Sequence, residues 1–280
     1  MTIFSFDLAI FLTSLFAGLL GSLTGLGGAV ILVPVLVMGF HTDIHYAAGA
    51  SLVSVIATSS AAAVAYVRDG YSNVRIAMFL EIATTCGALL GAYLAGSLDA
   101  SLVACIFGLV LIYSAVSCVM PARPAGKTEA QASGLSRYLD LSGSYHEDEE
   151  KVYTYAARRP LSGFAMMALA GGLSGLLGIG SGAMKVLAMD KIMGLPIKVS
   201  TTTSNFMIGV TACASAGIYL KRGYVDPVLS MPVVLGVVLG SFLGARILPK
   251  TNSKRLRQIF AAVMFVVAAE MIYKGLTGEI

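Results

Sequence analysis

The fold of this chain is decided by the glycine-rich stretch GLLGIGSG at residues 175–182 and by its counterpart SLTGLGGA at residues 22–29. Each lies near the middle of a long apolar segment, at residues 161–193 and 3–40. An unbroken helix over the longer segment would be roughly 55 Å long, whereas the hydrocarbon core of a bilayer is about 30 Å thick. Glycine weakens helices, and a break at membrane depth is tolerated only inside protein or beside a cavity. We therefore expect both segments to enter the membrane, break at the glycines and turn back.

The two glycine clusters belong to a duplication that spans the chain. Shifted by 153 positions, the sequence aligns with itself without a gap. Matched pairs include Gly18 and Gly171, Gly25 and Gly178, Gly27 and Gly180, Ser51 and Ser204, Thr58 and Thr211, and Gly91 and Gly244. Duplicated hydrophobic chains are typical of secondary transporters, which hold the substrate where the copies meet. The alternative, duplication for stability alone, explains the apolar matches but not the concentration of matches at Gly, Ser and Thr.

The composition is that of a membrane protein. The chain is 57% hydrophobic and 12% charged, against about 25% charged in soluble proteins. Most of its apolar runs are near the roughly 20 residues of a spanning helix, and residues 1–7 lack the Lys or Arg of a cleavable signal. We therefore predict an all-α, polytopic integral membrane protein in its mature form. The predicted parts are a first repeat at residues 1–120, a linker at 121–159 and a second repeat at 160–280, with about four helices in each repeat.

The positive charges predict that the two repeats have opposite orientations. If the first helix of each repeat is re-entrant, fourteen of the 19 Lys and Arg residues fall on the side of the linker and only Lys221, Arg222 and Lys274 on the other. If each first helix crosses fully, the repeats are parallel and the two counts become 11 and 6. Because positive charge accumulates in cytoplasmic loops, we expect inverted repeats with a cytoplasmic linker and both termini outside.

The expected location is the bacterial cytoplasmic (inner) membrane, with several crossings. Membrane orientation explains the net charge of +4 better than nucleic-acid binding does. The linker carries HEDEE at residues 146–150, and a solvated connector is favoured over a regulatory or partner-binding segment. The expected partners are the lipid bilayer and a small anionic substrate, without nucleic acid. The oligomeric state is left open between a monomer and a homodimer.

The candidate substrate site combines the glycine breaks with two Ser/Thr-rich stretches that are expected to open the following helices. Ser and Thr at a helix start cap free amides, and these amides form an anion site with the helix dipole. The predicted substrate-binding residues are Gly25, Gly27, Gly28, Ser51, Gly178, Gly180, Ser181, Gly182, Thr203, Ser204 and Asn205. Such donors suit a small oxyanion. The alternative is close helix packing, which is favoured for Gly87, Gly91, Gly240 and Gly244.

Two ionisable residues inside the spans are further candidates. Lys185 follows the second glycine break and either supplies a fixed positive charge for the anion or reaches the inner face of the membrane. Glu81 is a proton-coupling residue, a partner for Lys185, or the acceptor of a structural hydrogen bond. His41 and His45 have metal-ligand spacing but lie in an expected loop without a third ligand, so we predict no metal site and no cofactor.

Several stretches together resemble the bacterial sulfite exporter TauE/SafE family, also called the 4-toluene sulfonate uptake permease family. They are residues 21–28, residues 175–182, Gly194-Leu195-Pro196, Thr203-Ser204-Asn205-Phe206 and residues 222–227. One departure is that Pro34 of the first copy corresponds to Leu187 of the second. The resemblance implies a transporter of sulfite, sulfoacetate or another organosulfonate, or thiosulfate. The pocket argument leads to an oxyanion, and the choice of sulfur rests on the resemblance.

The expected mechanism is alternating access around a midplane anion site. Coupling to protons or to the membrane potential is expected, because the sequence has no ATP-binding motif. The alternatives are a passive anion channel and a transporter of a non-sulfur organic anion. An enzyme or sulfur-relay protein is disfavoured, since Cys86, Cys105, Cys118 and Cys213 have no catalytic or zinc-binding motif and are expected to be small packing residues.

Overall fold

The computed structural model describes residues 3–24, 28–68, 72–119, 134–148, 151–247 and 253–278. The helices of the first half are α1 (Ile3–Thr24), α2 (Ala29–Phe40), α3 (Ile44–Arg68), α4 (Val74–Ala95) and α5 (Ala100–Val119). A short connecting unit follows, with α6 (Gly134–Tyr138), β1 (Ser142–Asp148) and β2 (Lys151–Ala156). The second half has α7 (Pro160–Leu177), α8 (Gly182–Leu187) continued by a π-helical turn (Ala188–Ile192), α9 (Ile197–Lys221), α10 (Pro227–Ile247) and α11 (Ser253–Thr277).

The helix bounds repeat with the same offset as the sequence. Helix α3 begins at Ile44 and ends at Arg68, and α9 begins and ends 153 residues later. The starts of α2, α4 and α5 correspond in the same way to those of α8, α10 and α11. Equal patterns of apolar residues and turn residues therefore form equal elements in both halves.

The prediction of a helical membrane protein is confirmed. Among the described residues, three helices are long and apolar enough to cross a membrane: Val74–Ala95, Ala100–Ser117 and Pro160–Leu177. Shorter apolar helices cover Ser5–Gly21, Ala29–Phe40 and Pro227–Leu243. The all-α prediction misses one feature, because β1 and β2 form a two-stranded antiparallel hairpin in the connecting unit.

The first helix of each half packs against a helix of the other half. Helix α1 packs along α10 of the other half, and α7 packs along α4. A Cβ atom on Gly18 would collide with the backbone of Val237, and a Cβ atom on Gly171 would collide with the backbone of Thr84. These two contacts are equivalent under the offset. Glycine in both first helices thus permits the direct backbone contact that joins the halves.

The other long helices pair with their own counterparts, and these pairs are antiparallel. Gly49 near the start of α3 contacts Tyr224 just beyond α9, whereas Ser59 further along α3 contacts Gly209. In the second pair, Gly108 of α5 contacts Ala268 of α11, whereas Gly275 contacts Ser101 at the start of α5. Equivalent helices therefore run in opposite directions at the centre of the molecule.

In each half, the short helical segment that follows the first helix lies against that helix or the residues just before it. The rings of Phe6 in α1 and Phe40 in α2 are 5.5 Å apart. In the second half, Met193 follows the π-helical turn and lies against Gly163 near the start of α7. The Arg158 backbone N–H also donates to the Met193 carbonyl oxygen at 2.8 Å. Both short segments are thus paired with the first helix of their own half.

The hairpin packs against the bundle, so the interpretation of the linker as a solvated connector is wrong for its described part. Leu141, Tyr155 and Ala157 are buried in a cluster that also contains Met189 and Met193. Asn73, which caps α4, donates from its side chain to the Ser142 carbonyl oxygen and to the Tyr155 hydroxyl, both at 3.1 Å. The hairpin is therefore fixed on the turn between α3 and α4.

Candidate functional site

The second glycine break is a run of left-handed backbone between α7 and α8. Gly178 ends α7 with φ of 70°, and Gly180 has φ of 73°. Ser181 precedes α8 with φ of 44°, a backbone conformation that residues other than glycine rarely adopt. The Gly178 N–H still bonds the Ser174 carbonyl oxygen at 2.9 Å. Glycine at the first two positions therefore lets the chain leave the helix without a steric cost.

Side chains of α3 and α9 hold this break from both halves. The Ser51 hydroxyl donates to the Gly178 carbonyl oxygen at 2.9 Å, and the Ser204 hydroxyl donates to the Gly182 carbonyl oxygen at 3.2 Å. Gly180 lies against the side chain of Ile208. The break is thus buried in protein, as membrane depth requires, and two predicted site residues stabilise its carbonyl groups.

The Ser/Thr-rich stretches lie in the first turns of their helices, as expected, but they do not cap the helix starts. Helices α3 and α9 begin at Ile44 and Ile197, seven residues before Ser51 and Ser204. Amides two turns inside a helix are bonded within it and are not free to bind an anion. The hydroxyl groups at these positions, rather than helix amides, are what the stretches contribute to the centre.

Lys185 is a charged residue of α8, just after the second glycine break. Its side chain is fully buried, so the alternative in which it reaches the membrane surface is wrong. Its Nζ donates to the Thr211 hydroxyl at 2.6 Å. An ammonium group has three N–H donors, and this is the one hydrogen bond that its Nζ makes within the described part of the chain. The other two N–H donors of this buried ammonium have no partner among the described residues.

Glu81 lies on the other side of Thr211, and three threonine hydroxyls donate hydrogen bonds to its carboxylate. Its Oε1 accepts from the hydroxyls of Thr211 at 2.7 Å and Thr85 at 3.1 Å, and its Oε2 accepts from Thr84 at 2.9 Å. The structure therefore brings together Lys185 and Glu81, as one of the alternatives for Glu81 predicts. We name this arrangement the Lys185–Thr211–Glu81 chain.

The two charges of this chain balance each other. Glu81 and Lys185 are buried, and the other buried charged residue of the described part, Asp190, lies 3.7 Å from Lys191. Helix α7, which packs on α4 beside Glu81, contains no Asp, Glu, Lys, Arg or His. Burying an uncompensated charge costs several kcal/mol. Neutrality of the Lys185–Thr211–Glu81 chain is therefore a condition for its stability.

The remaining predicted site residues lie around this centre in different ways. Thr203 accepts a hydrogen bond from the Asn73 backbone N–H at 3.2 Å, and Asn205 is partly exposed. Gly28 packs against the backbone of Ala17 and Gly18. Gly25 and Gly27 lie outside the described residues, so the contribution of the first break stays a prediction.

Sequence reasoning missed three threonines of the site. Thr84 and Thr85 follow Glu81 at i+3 and i+4, a spacing that places them on the same helix face and was available as a signal. Thr211 comes from another helix, 130 residues away, and no local pattern indicates its contact with Glu81. The Ser181 hydroxyl adds a buried polar group that has no hydrogen-bond partner among the described residues.

The cysteines and histidines lie away from this chemistry. Cys86 and Cys213 are exposed on the surface of the bundle, so the prediction that they are packing residues is wrong within this chain. His45 lies between the Asp43 carboxylate and the Ala95 carbonyl oxygen, at 3.0 and 2.8 Å. No group of three or more metal-binding side chains occurs among the residues that the structure describes.

Comparison with known proteins identifies relatives over nearly the whole chain. The profile of the family described as sulfite exporter TauE/SafE matches residues 10–271. The chain is 29% identical to the probable membrane transporter protein YunE of Bacillus subtilis (strain 168), over 94% of this chain and 96% of that protein. It is 24% identical to the probable membrane transporter protein MJ0441 of Methanocaldococcus jannaschii, over 91% of both chains. No solved structure matches the chain.

Proposed function

Because the chain belongs to the sulfite exporter TauE/SafE family, we propose that it is a secondary transporter that moves a small sulfur-containing anion across the cytoplasmic membrane by alternating access. Its relatives carry the general description of membrane transporters. Sulfite follows from the family description, and organosulfonates and thiosulfate are the further substrates that the sequence resemblance implies. The transport of an anion is supported by the chemistry of the site itself.

The observation that carries this proposal is the buried ammonium of Lys185. Lys185 is a fully buried cation that Glu81 balances across Thr211, and its Nζ donates only to Thr211 within the described part of the chain. The unpartnered hydroxyl of Ser181, four residues earlier at the glycine break, adds a donor for an oxyanion. An anion with several oxygen atoms satisfies both groups at once. Hydrogen bonds to charged groups are also the stronger ones, which favours specific recognition.

Inverted repeats with re-entrant first segments are part of the proposal. The antiparallel pairing of α3 with α9 and of α5 with α11 supports a pseudo-twofold axis perpendicular to the helices. The contacts of Phe6 with Phe40 and of Met193 with Gly163 support the return of each broken segment to its starting side. In such transporters, broken helices meet near the midplane at the substrate site.

The proposed orientation places the hairpin in the cytoplasm and both termini outside. Described cations near the hairpin include Arg75, Arg137, Arg158, Arg159 and Lys191, whereas Lys221, Arg222 and Lys274 lie at the opposite end. This asymmetry has the sign that the positive-inside rule requires for a cytoplasmic hairpin. Alternating access then opens the Lys185 site to each side in turn.

We expect the Lys185→Met variant in proteoliposomes to lose uptake of labelled sulfite, sulfoacetate and thiosulfate by about a hundredfold or more. Lys185 is the one buried cation among the described residues, and its loss removes a charge interaction worth about 3–5 kcal/mol. Lys221→Met, at the exposed end of α9, is the matched control and retains uptake within about twofold. Wild-type uptake by Lys185→Met would remove this residue from the mechanism.

The same assay separates a transporter from the alternatives. A transporter saturates with substrate and catalyses exchange of labelled for unlabelled anion. Passive flow that follows the anion gradient without saturation would indicate a channel. Saturable uptake of a carboxylate such as acetate, without uptake of any sulfur anion, would indicate a transporter of non-sulfur organic anions.

A further inference from the structure

The charge balance of the Lys185–Thr211–Glu81 chain bears on the ionic form of the substrate, and the inference rests on the proposed function. Before the anion binds, the buried charges of Lys185 and Glu81 sum to zero. An arriving anion with one negative charge makes the centre negative unless Glu81 takes up a proton. With that proton, the ammonium and the anion form a neutral pair. We propose that the site binds one singly charged anion together with one proton, and that Thr211 links the two events.

Thr211 has the geometry of a two-position switch. Its hydroxyl accepts from Lys185 and carries one proton, for which two acceptors are in reach. These are Glu81 Oε1 at 2.7 Å and the Met207 carbonyl oxygen, one helical turn earlier, at 2.9 Å. While Glu81 is ionised, the hydroxyl donates to the carboxylate and completes the path from cation to anion. When Glu81 is protonated, its carboxyl is a weaker hydrogen-bond acceptor. The Thr211 hydroxyl then donates to the Met207 carbonyl oxygen instead.

Among the described groups around Glu81, Lys185 is the one that carries a charge. On α4 itself, the nearby side chains are the neutral hydroxyls of Thr84 and Thr85. Helix α7 brings no titratable group, and the charged residues of α9 are Lys198 and Lys221, near its two ends. Within the described part of the chain, Glu81 therefore faces one charge only, across Thr211. Protonation of Glu81 leaves Lys185 without its counter-charge, which strengthens the attraction for an external anion.

In the proposed cycle, Glu81 takes up one proton on one side of the membrane and releases it on the other. The proton passes from water on the loading side to a carboxyl oxygen of Glu81 as the anion reaches Lys185, and it returns to water on the releasing side as the anion leaves. A doubly charged anion would leave the buried centre with an excess negative charge even with Glu81 protonated, which costs several kcal/mol. The site thus favours simple alkanesulfonates such as methanesulfonate, which carry one charge at physiological pH, over thiosulfate, which carries two.

Methanesulfonate and thiosulfate form a matched pair for the test, because both contain an SO3 group on a fourth substituent of similar size and differ by one charge. Wild-type protein is placed in proteoliposomes with the membrane potential set by potassium and valinomycin. We expect methanesulfonate uptake to rise about tenfold for each unit of lower pH on the loading side below saturation. It changes less than twofold with the membrane potential. Thiosulfate uptake is expected to be at least tenfold slower.

The outcomes are distinct for the two proposals. Methanesulfonate uptake that follows the membrane potential, or thiosulfate uptake at an equal rate, would overturn the inference and leave the transporter intact. If neither anion nor sulfite enters the liposomes, the proposed function fails and the inference fails with it. These measurements use the wild-type protein and do not depend on the folding of a variant.

Variants assign the roles of Glu81 and Thr211. Glu81→Gln imitates the protonated carboxyl, so methanesulfonate exchange should no longer depend on pH and accumulation driven by a pH gradient should be lost. Thr211→Ser keeps the hydroxyl and should keep the pH response, whereas Thr211→Val should flatten it. A wild-type pH response in a folded Glu81→Gln protein, or an unchanged pH response in Thr211→Val, would contradict the proposed link.

Discussion

At the residue scale, the hydroxyl groups of the proposed substrate centre also stabilise the protein itself. Ser51 and Ser204 donate to carbonyl oxygens freed by the glycine break, and Thr211 joins the two buried charges. A carbonyl group that leaves a helix in a water-free region needs a replacement donor. The polar residues of the centre therefore stabilise the irregular backbone before any substrate arrives.

We expect Ser51→Ala to destabilise the protein by about 1–3 kcal/mol, because the buried Gly178 carbonyl oxygen loses its donor. Ser60→Ala, three turns nearer the end of α3, is the control, since the exposed Ser60 bonds only its own helix. Thermal unfolding in detergent measures both effects. Equal melting temperatures for the two variants would show that the bond between Ser51 and Gly178 contributes no stability.

Some residues of the proposed centre could be identified from the sequence, and others could not. Lys185 and Glu81 were identifiable because charges within apolar spans stand out. Thr211 and its two contacts were not, because a threonine inside a helix is ordinary and its partners lie on α4 and α8. The capping role expected of the stretches that contain Ser51 and Ser204 was also wrong. The Ser and Thr runs resemble capping residues, but the chain begins both helices two turns earlier.

At the element scale, the halves are joined by glycine faces on helices from different copies. Gly87 and Gly91 of α4 lie against Ala168 and Gly172 of α7, and Gly240 of α10 lies against Leu15 of α1. The packing interpretation of these glycines agrees with the contacts. Small residues allow helices in lipid to approach until their backbones touch, and dispersion and weak hydrogen bonds then hold them.

We expect Gly91→Ala to destabilise the protein by about 1–3 kcal/mol, because the added methyl group would collide with the Gly172 carbonyl oxygen. Gly217→Ala in α9 meets no atom within 4 Å and should stabilise by up to about 1 kcal/mol through helix propensity. Melting temperatures of the two variants should therefore move in opposite directions. A shift in the same direction would contradict close packing of α4 on α7.

The elements were largely predictable from the sequence, except for the hairpin. Apolar length, the glycine clusters and the duplication together predict the broken first segments and the helices that follow. The strands β1 and β2 are short and polar, and their alternating pattern over residues 151–159 is weak. Their position is fixed by contacts with Asn73 and with the methionine-rich cluster, which no local pattern records.

At the scale of the whole molecule, two ends of the bundle are distinguished by what they carry. One end has the hairpin and the turn between α3 and α4. The other has the beginnings of α1 and α5 and the ends of α4, α9 and α11. The Arg222 guanidinium donates there to the carbonyl oxygens of Ala92 and Tyr93, which closes the end of α4 against α9.

Labelling with a membrane-impermeant maleimide tests the orientation of these ends. In a protein without its native cysteines, Ser97→Cys and Leu276→Cys should react in intact cells, because both positions are exposed at the end proposed to face outward. Tyr138→Cys, at a residue that is 85% exposed beside the hairpin, should react only after permeabilisation. The reverse pattern would invert the proposed topology, and one pattern at all three positions would contradict it.

The packing of each first helix against the other half has a consequence for biosynthesis. Helix α7 emerges from the ribosome after its partner α4, so it can pack as soon as it is inserted. Helix α1 emerges first, but its partner α10 begins only at Pro227, more than two hundred residues later. Until then, the small residues of α1 face lipid or the insertion machinery. Helix α1 is thus made more than two hundred residues before the helix it packs on, so this helix pair forms long after α1 has entered the membrane.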